Sequence, residues 1–561
     1  GIIGPHVDYQ GRINNGNANS NRGNHGDHVA GIIMGGGNLD PETVGMAPGA
    51  FLEVYDGHDA SNEAPTSVNT QNVRIATMSL GTTCNGGYNI WARRSDQTVL
   101  QTDVLHVFSC GNSGRRTCGP IPEYFTITGG RKLGKNLITV ANIRKNLIRA
   151  NSSSKGPAED GRIKPDISAI GTSVRSTIDT NRYSNKTGTS MSCPGVSGSM
   201  ATVMQAWREK NSGDDIPSNL LKSALLCGAR DLGRKGPDFE YGFGLMNTRQ
   251  TWSLLDSGWF FLDTLGNSQT DTFTVNVPPG AARFKVMLYW HDVEGASGST
   301  RPLVNNLDLQ VLDSSGNVSL PLVLDHRPTL TSLEAPAVQR VDTLNNAELV
   351  EYDLPDTGEY RLVVSGTDVP MGPQPYALTY SIEWDTLYFE YPLQGNVLRA
   401  NRDYTVRWRN ENPNALQNYS LAYSLDNGAS WVSLSGNISA TDPTFDWRTP
   451  DTMHAGVLLR VIQGGDTAVS APFVVARRLQ NLRVQQRCPA YYTLYWDSDP
   501  SVDTVRVFRL GATGMDSIAT VAVDSFTQLG VLQNDTVWVA VAPVLPSGVV
   551  GPRTRALFLD Y

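Results

Sequence analysis

A chain of 561 residues is too long for one hydrophobic core, and its length predicts three or four domains. Its formal net charge of −8 excludes the basic face that a nucleic-acid partner requires, and no run of about eighteen apolar residues is there to cross a membrane as a helix. Six cysteines with no C-x-x-C spacing argue against zinc; Cys84 and Cys118, in glycine-rich stretches, are candidates for one disulfide, and Cys227 reads as a buried thiol.

The chain opens at Gly1 with no signal-like segment, so its true start is expected upstream. Buried strands are predicted in "GAFLEVY" (49–55), "VRIATMSLG" (73–81), "VLHVFSCGN" (104–112) and "NLITVAN" (136–142), with a helix over 90–101. Such alternation implies an α/β fold, a parallel sheet covered on both faces. In "GTSMSCPGVSG" (188–198) a tight turn feeds an amphipathic helix carrying Met200, Val203, Met204 and Trp207, with Pro194 expected in its first turn. From about residue 258 the chain becomes short alternating strands with Gly, Asn, Asp and Pro turns, an all-β tail. In "YSLAYSLDNGASWVSL" (419–434) an Asn-Gly pair marks a hairpin. Further strands are expected in "YYTLYWDSD" (491–499) and "DTVWVAVAPVLPSG" (535–548).

Three stretches carry chemistry. Ser190 stands at a helix N-terminus, where unpaired N–H groups favour negative charge, but a serine needs a base and oxyanion donors to act as a nucleophile. The base candidates are His25 and His28 in "NHGDHVAGIIMGG" (24–36); His28, at an apolar helix start, has the character of a packed histidine. The two histidines with Asp27 are a rival metal set, which lacks the Glu of a metalloprotease motif. Asn112 in "FSCGNSG" (108–114) ends a buried strand, where its amide can donate into a cleft.

Together these stretches resemble the subtilisin-like serine proteases, the subtilases. "HGDHVAG" is similar to the family's histidine motif, which selects His25 as base; "GTSMSCPGVSG" resembles its serine motif, with Ser190 as nucleophile; "CGNSG" resembles the oxyanion segment, with Asn112 as donor. "GMAPGA" (45–50), "MSLG" (78–81), "GRIKPDISAIG" (161–171) and "YGFGLMN" (241–247) match secondary signatures in the same order. The chain departs from the family at Asp27, where Thr is usual, and at Ser192 and Cys193, where Ala-Thr is usual. The resemblance implies that Ser79, Leu80, Gly81 and Ser109, Cys110, Gly111 flank an extended peptide substrate, pairing with its backbone.

The family's orienting aspartate has no counterpart here. "GIIGPHVDYQGR" resembles the end of that acid's motif and the stretch downstream of it, with Gly1 as the motif's glycine, so the acid would lie two residues upstream; Asp8 matches a later structural acid. Either an N-terminal companion segment held without a covalent bond carries the aspartate, or the sequence begins late, or the domain is a relic that binds without cutting; retention of His25, Asn112 and Ser190 favours the first two.

Residues 256–385 resemble the jelly-roll domain of some secreted subtilases, through "KVMLYWHD", "LVNNLDLQV" and "VPMGPQPYALTYS", and Asp308 is a candidate ligand for a structural calcium; no cofactor is required for the reaction. The expected domains are a subtilisin-like peptidase (1–255), a jelly-roll sandwich (256–385), an Ig-like sandwich (386–478) and a fibronectin III-like sandwich (479–561). Recurrent Asp-Thr and Asp-Ser pairs, as at 263, 342, 451 and 516, resemble a bacterial O-glycosylation sequon and are also ordinary turn chemistry. The expected protein is a secreted or cell-surface endopeptidase with peptide substrates and a surface partner for its tail. The alternative is an inactive scaffold of a surface complex.

Overall fold

The structure is a computed structural model. It describes residues 2–19, 23–56, 68, 70–81, 84, 86–384, 386–410, 417–488, 491–497, 499–522, 526–530 and 537–559. Gly1, Asp385 and Asp535 lie outside the described residues. The chain divides into two compact units, one of residues 1–5, 12–34 and 45–384, the other of residues 6–11, 35–44 and 385–561.

In the first unit, β1 (Ile13–Asn17) pairs in parallel with β2 (Leu52–Tyr55). A second parallel sheet runs β3 (Ile75–Met78), β4 (Leu105–Ser109), β5 (Ile138–Ile143) and β6 (Ile167–Ile170) in that order. β4 and β5 are buried along their whole length, as strands covered on both faces must be. Helix α1 (His25–Met34) precedes β2, and α2 (Ile90–Thr102) lies between β3 and β4 in the chain, capped by Asn89. After β6 come β7 (Val174–Ile178) and β8 (Arg182–Lys186), an antiparallel pair. Next is α3 (Thr189–Lys210), which presents Cys193, Val196, Met200, Val203 and Met204 to the same core as Val107 and Val140, with Trp207 half-buried at its edge.

Helices α4 (Ser218–Cys227) and α5 (Thr248–Asp256) complete the α/β part. The chain then forms β9 (Phe260–Leu265), β10 (Thr270–Val277), β11 (Ala281–Tyr289), β12 (Asn306–Leu312) and β13 (Val318–Ser319). A short pair, β14 (Leu322–Val323) and β15 (Val338–Gln339), brackets the four-residue helix α6 (Leu330–Leu333); β16 (Ala347–Asp353), β17 (Gly358–Asp368) and β18 (Gln374–Trp384) follow. Two four-stranded antiparallel sheets result, ordered β10-β17-β12-β13 and β16-β11-β18-β9. They enclose Phe284, Val286, Trp290, Leu309, Leu362 and Leu378. The outer face of the second sheet covers α4: Met287 and Ala377 share its core, and Ser223 Oγ meets Thr379 Oγ1 at 2.9 Å.

The second unit is β-rich. Strands Leu387–Tyr391, Asp403–Asn410 and Thr444–Arg448 form one sheet, and Tyr419–Ser424, Val432–Ile438 and His454–Gln463 belong to another; Trp408, Trp447, Val457 and Leu459 lie between them. Tyr419–Ser424 pairs with Val432–Ile438 across a turn in which Asn427 and Gly428 take positive φ (55° and 90°), the hairpin expected from Asn-Gly. A last pair of sheets includes Tyr491–Tyr495 and Val537–Val544 around Leu494, Trp496, Val505 and Val539. Residues 35–44 pack within this unit. Asp40 is fully buried, accepts a hydrogen bond from Arg555 Nε (2.8 Å) and lies 3.8 Å from Arg478; Arg553 donates to the carbonyl of Asn38 (2.9 Å), and Ala556 N–H to that of Leu39 (2.8 Å).

Candidate active site

Ser79, Asn112 and Ser190 gather at the carboxyl ends of the parallel strands, where loops leave an open-sheet fold and ligands bind, and no hydrogen bond joins His25 to them among the described residues. Ser79 follows β3, Asn112 follows β4, and Ser190 sits in the first turn of α3. Asn112 Oδ1 accepts from both the backbone N–H (3.0 Å) and the hydroxyl (3.1 Å) of Thr189, the residue before Ser190. Gly111 N–H donates to the same Thr189 hydroxyl at 3.3 Å. With its oxygen so anchored, the exposed Asn112 amide has its Nδ2 to offer. A Cβ on Gly188 (φ 156°) would stand 3.2 Å from that nitrogen, which is why the turn before the serine needs glycine.

Ser190 and Ser79 exchange hydrogen bonds: Ser79 Oγ donates to the Ser190 carbonyl (3.1 Å), and Ser190 Oγ donates to the Ser79 carbonyl (3.4 Å). Pro194 explains the first bond. It lies in the second turn of α3, not the first as expected, and has no N–H with which to bind the carbonyl four residues back. That carbonyl belongs to Ser190.

His25 is the first residue of α1, and its ring makes no hydrogen bond among the described residues. Burial, then the nearby Lys186 cation, pull its pKa below the usual histidine value, which keeps the imidazole neutral and able to accept a proton. Lys186 is itself held by Asn24, through its carbonyl (2.9 Å) and Oδ1 (2.6 Å). His28 is fully buried, its Nε2 at 2.9 Å from the Ser184 carbonyl, as a packed histidine should be. Asp27 Oδ1 accepts from Gly4 N–H at 2.6 Å, and Asp8 Oδ1 from Leu39 N–H at 3.0 Å. The β7–β8 pair, which the sequence patterns did not disclose, braces α1: Ser176 and Thr177 hydroxyls donate to the carbonyls of His28 and Asp27, both at 2.9 Å. Gly31 permits this approach, since a Cβ there would fall 1.9 Å from Thr177 Oγ1.

His25 and Ser79 both line a trough of about 1250 Å³. Residues of β2 and β3 line it, with Ala30 and Ile33 of α1 and Met204 of α3. Among the described residues no strand pairs with β2 on the side away from β1, or with β3 on the side away from β4.

Cys84 and Cys118 form the expected disulfide, and Cys110, Cys193 and Cys227 are buried free thiols. Asp308 bonds to Thr367 Oγ1 and to Asn306 Nδ2 (3.3 Å). Among the described residues no three His, Cys, Asp or Glu side chains are grouped to hold a metal.

Residues 6–244 match the subtilase family, and residues 269–366 match the bacterial pre-peptidase C-terminal domain. The thermostable alkaline protease of Halalkalibacterium halodurans is 29% identical over 232 residues, 40% of this chain and 56% of that protein. Subtilisin DY of Bacillus licheniformis is 26% identical over 243 residues, 41% of this chain and 77% of its own. The minor extracellular protease Vpr of Bacillus subtilis is 32% identical over 172 residues, 28% of this chain and 21% of its own. The chain thus spans little more than half of the first of these relatives and about a fifth of the last.

Proposed function

Taking residues 6–244 as the subtilase domain they match, we propose that the chain is a serine endopeptidase. Ser190 Oγ attacks the peptide carbonyl, His25 takes its proton and returns it to the leaving amine, and Asn112 Nδ2 with the Ser190 N–H holds the oxyanion. The observation that carries this reading is the double anchoring of Asn112 Oδ1 on Thr189, which fixes an amide donor beside the residue that attacks. Ser79-Leu80-Gly81 and Ser109-Cys110-Gly111 pair with the substrate backbone on either side.

In this reading an aspartate outside residues 1–561 steadies His25. The trough supports it: β2 and β3, each paired with a strand on one side only among the described residues, line this space, and so does His25. An extended segment there satisfies both edges, and a carboxylate beside the His25 ring would orient it. A disulfide and the extracellular relative favour a secreted or cell-surface protein. The tail is read as a jelly-roll followed by Ig-like and fibronectin III-like sandwiches that meet a surface partner.

A fluorophosphonate probe on the natively purified protein tests the reading. Labelling at Ser190, lost in Ser190→Ala together with casein cleavage, supports it. A natively purified protein that neither takes the label nor carries a companion peptide ending near an aspartate is a scaffold.

A further inference from the structure

The segment between Gly129 and Gly134 folds as a 3-10 turn, Gly130–Leu133, entered through two glycines with positive φ (118° and 56°). It carries Lys132 inside, 1% exposed, and Lys132 Nζ has no hydrogen-bond or ion-pair partner among the described residues. The other deeply buried lysines are all accounted for. Lys135 binds Asp292 and the Pro302 carbonyl, Lys164 and Lys222 share Asp166, Lys285 meets Glu383 and the Ala229 carbonyl, and Lys155 meets Glu123 and Glu240. An unpaired buried ammonium is costly, and among the described residues the fold pairs every such group but one.

That one lies beside the candidate site. A Cβ on Gly81 would stand 3.1 Å from Lys132 Nζ, and one on Gly111 would stand 3.9 Å from it. These glycines belong to the two segments that flank Ser190, so the nitrogen borders both segments. The titratable groups facing it are the thiols of Cys110 and Cys193; burial raises both pKa values, that of Cys193 to about 12, so neither supplies a negative charge. A peptide stretched between 79–81 and 109–111, with its carbonyl at Ser190 Oγ, lowers the side chain of its acyl residue into this gap. On the Gly81 side only the absent side chain separates the segment from the ammonium; on the Gly111 side Ser154 Oγ, 2.9 Å from where a Cβ would stand, borders it.

We propose that Lys132 sets the specificity of the site, and that the protease cleaves on the carboxyl side of glutamate and aspartate. The inference rests on the proteolytic reading above. The substrate carboxylate supplies the counter-charge the fold omits, through charge-assisted hydrogen bonds in a site closed to water. Neutral side chains leave the ammonium unpaired, and basic ones meet it with like charge.

The test is a set of fluorogenic peptides identical except at the acyl residue, given to the full-length protein and to Lys132→Met. The expected kcat/KM for Glu exceeds that for Gln by at least tenfold, and the Met variant reverses the order in favour of Leu. Gly81→Ala lowers cleavage after Glu by crowding the ammonium. A parent protein that prefers Leu, Phe or Lys at this position overturns the proposal, as does a folded Lys132→Met that keeps the preference for Glu. If that variant does not fold, the parent profile decides alone. Absence of all cleavage together with absence of fluorophosphonate labelling overturns the proteolytic reading and this proposal with it; cleavage with a flat profile overturns this proposal alone.

Discussion

The hydroxyl of Ser79 takes the place of the N–H that Pro194 lacks: at 3.1 Å it binds the Ser190 carbonyl, which the helix leaves without its regular donor. The proline thus frees a backbone group of the candidate nucleophile, and a substrate-flanking segment captures it. Ser79→Ala should cost about 1–2 kcal/mol, since a half-buried carbonyl is left unpaired. Pro194→Ala restores an N–H, so the double variant should be more stable than the sum of the single effects by at least about 0.5 kcal/mol. Denaturant midpoints of the four proteins read this cycle, and strict additivity would show the two residues to be independent.

The Cys84–Cys118 disulfide closes a loop of 34 residues that contains α2, β4 and Asn112. By loop-closure entropy the bond stabilises the fold by about 3–4 kcal/mol. Cys84→Ser with Cys118→Ser should therefore lower the unfolding free energy by about that amount. An unchanged midpoint would mean the loop is fixed without it.

His28 makes stability depend on pH. Burial pulls its imidazole down to about 4, against the hydrogen bond to the Ser184 carbonyl, whereas the unfolded chain titrates near 6.5. As pH falls below about 6.5 the unfolded state takes up the proton first, so stability is full above that pH and is lost progressively toward pH 4. Buried His291, at about 3, acts in the same direction. His28→Gln should flatten the fall of the urea midpoint between these limits, and an equally steep fall would place the titration elsewhere.

Lys132 gives the proposed specificity its own pH limit. Burial lowers its pKa to about 8, so the free enzyme carries the charge below that pH and loses it above. The ratio of kcat/KM for Glu over Gln reports the free enzyme and should decline toward unity as pH rises through about 8. A ratio constant to pH 10 would exclude the ammonium as its source.

Strand–helix alternation was legible because β4 and β5 are buried on both faces and carry apolar residues on both, without polar-apolar alternation. The β7–β8 pair was not, since "VRSTI" and "RYSNK" are half-exposed and polar, with no period to betray them. His25, Asn112 and Ser190 were legible through their local motifs. Lys132 was not: it stands in "GGRKLGK", a basic, glycine-rich stretch that reads as a solvated loop. Its burial follows from the positive-φ glycines that turn the segment inward. Pro194 was misplaced by one turn because the helix begins at Thr189, where the residue types suggest a loop.

The stretch just after the histidine-bearing helix finds partners far along the chain, Arg553 lying 515 positions beyond Asn38. A ribosome adding about 5–20 residues per second needs roughly 25–100 s to bridge that interval. Until then the Asp40 carboxylate lacks Arg555, and the Leu39 carbonyl lacks the N–H of Ala556. Translation therefore imposes a delay on the maturation of this region: its partners at 553–556 emerge long after it, and a nascent chain cut short of them is left with an unfinished segment directly after the helix that carries its proposed base.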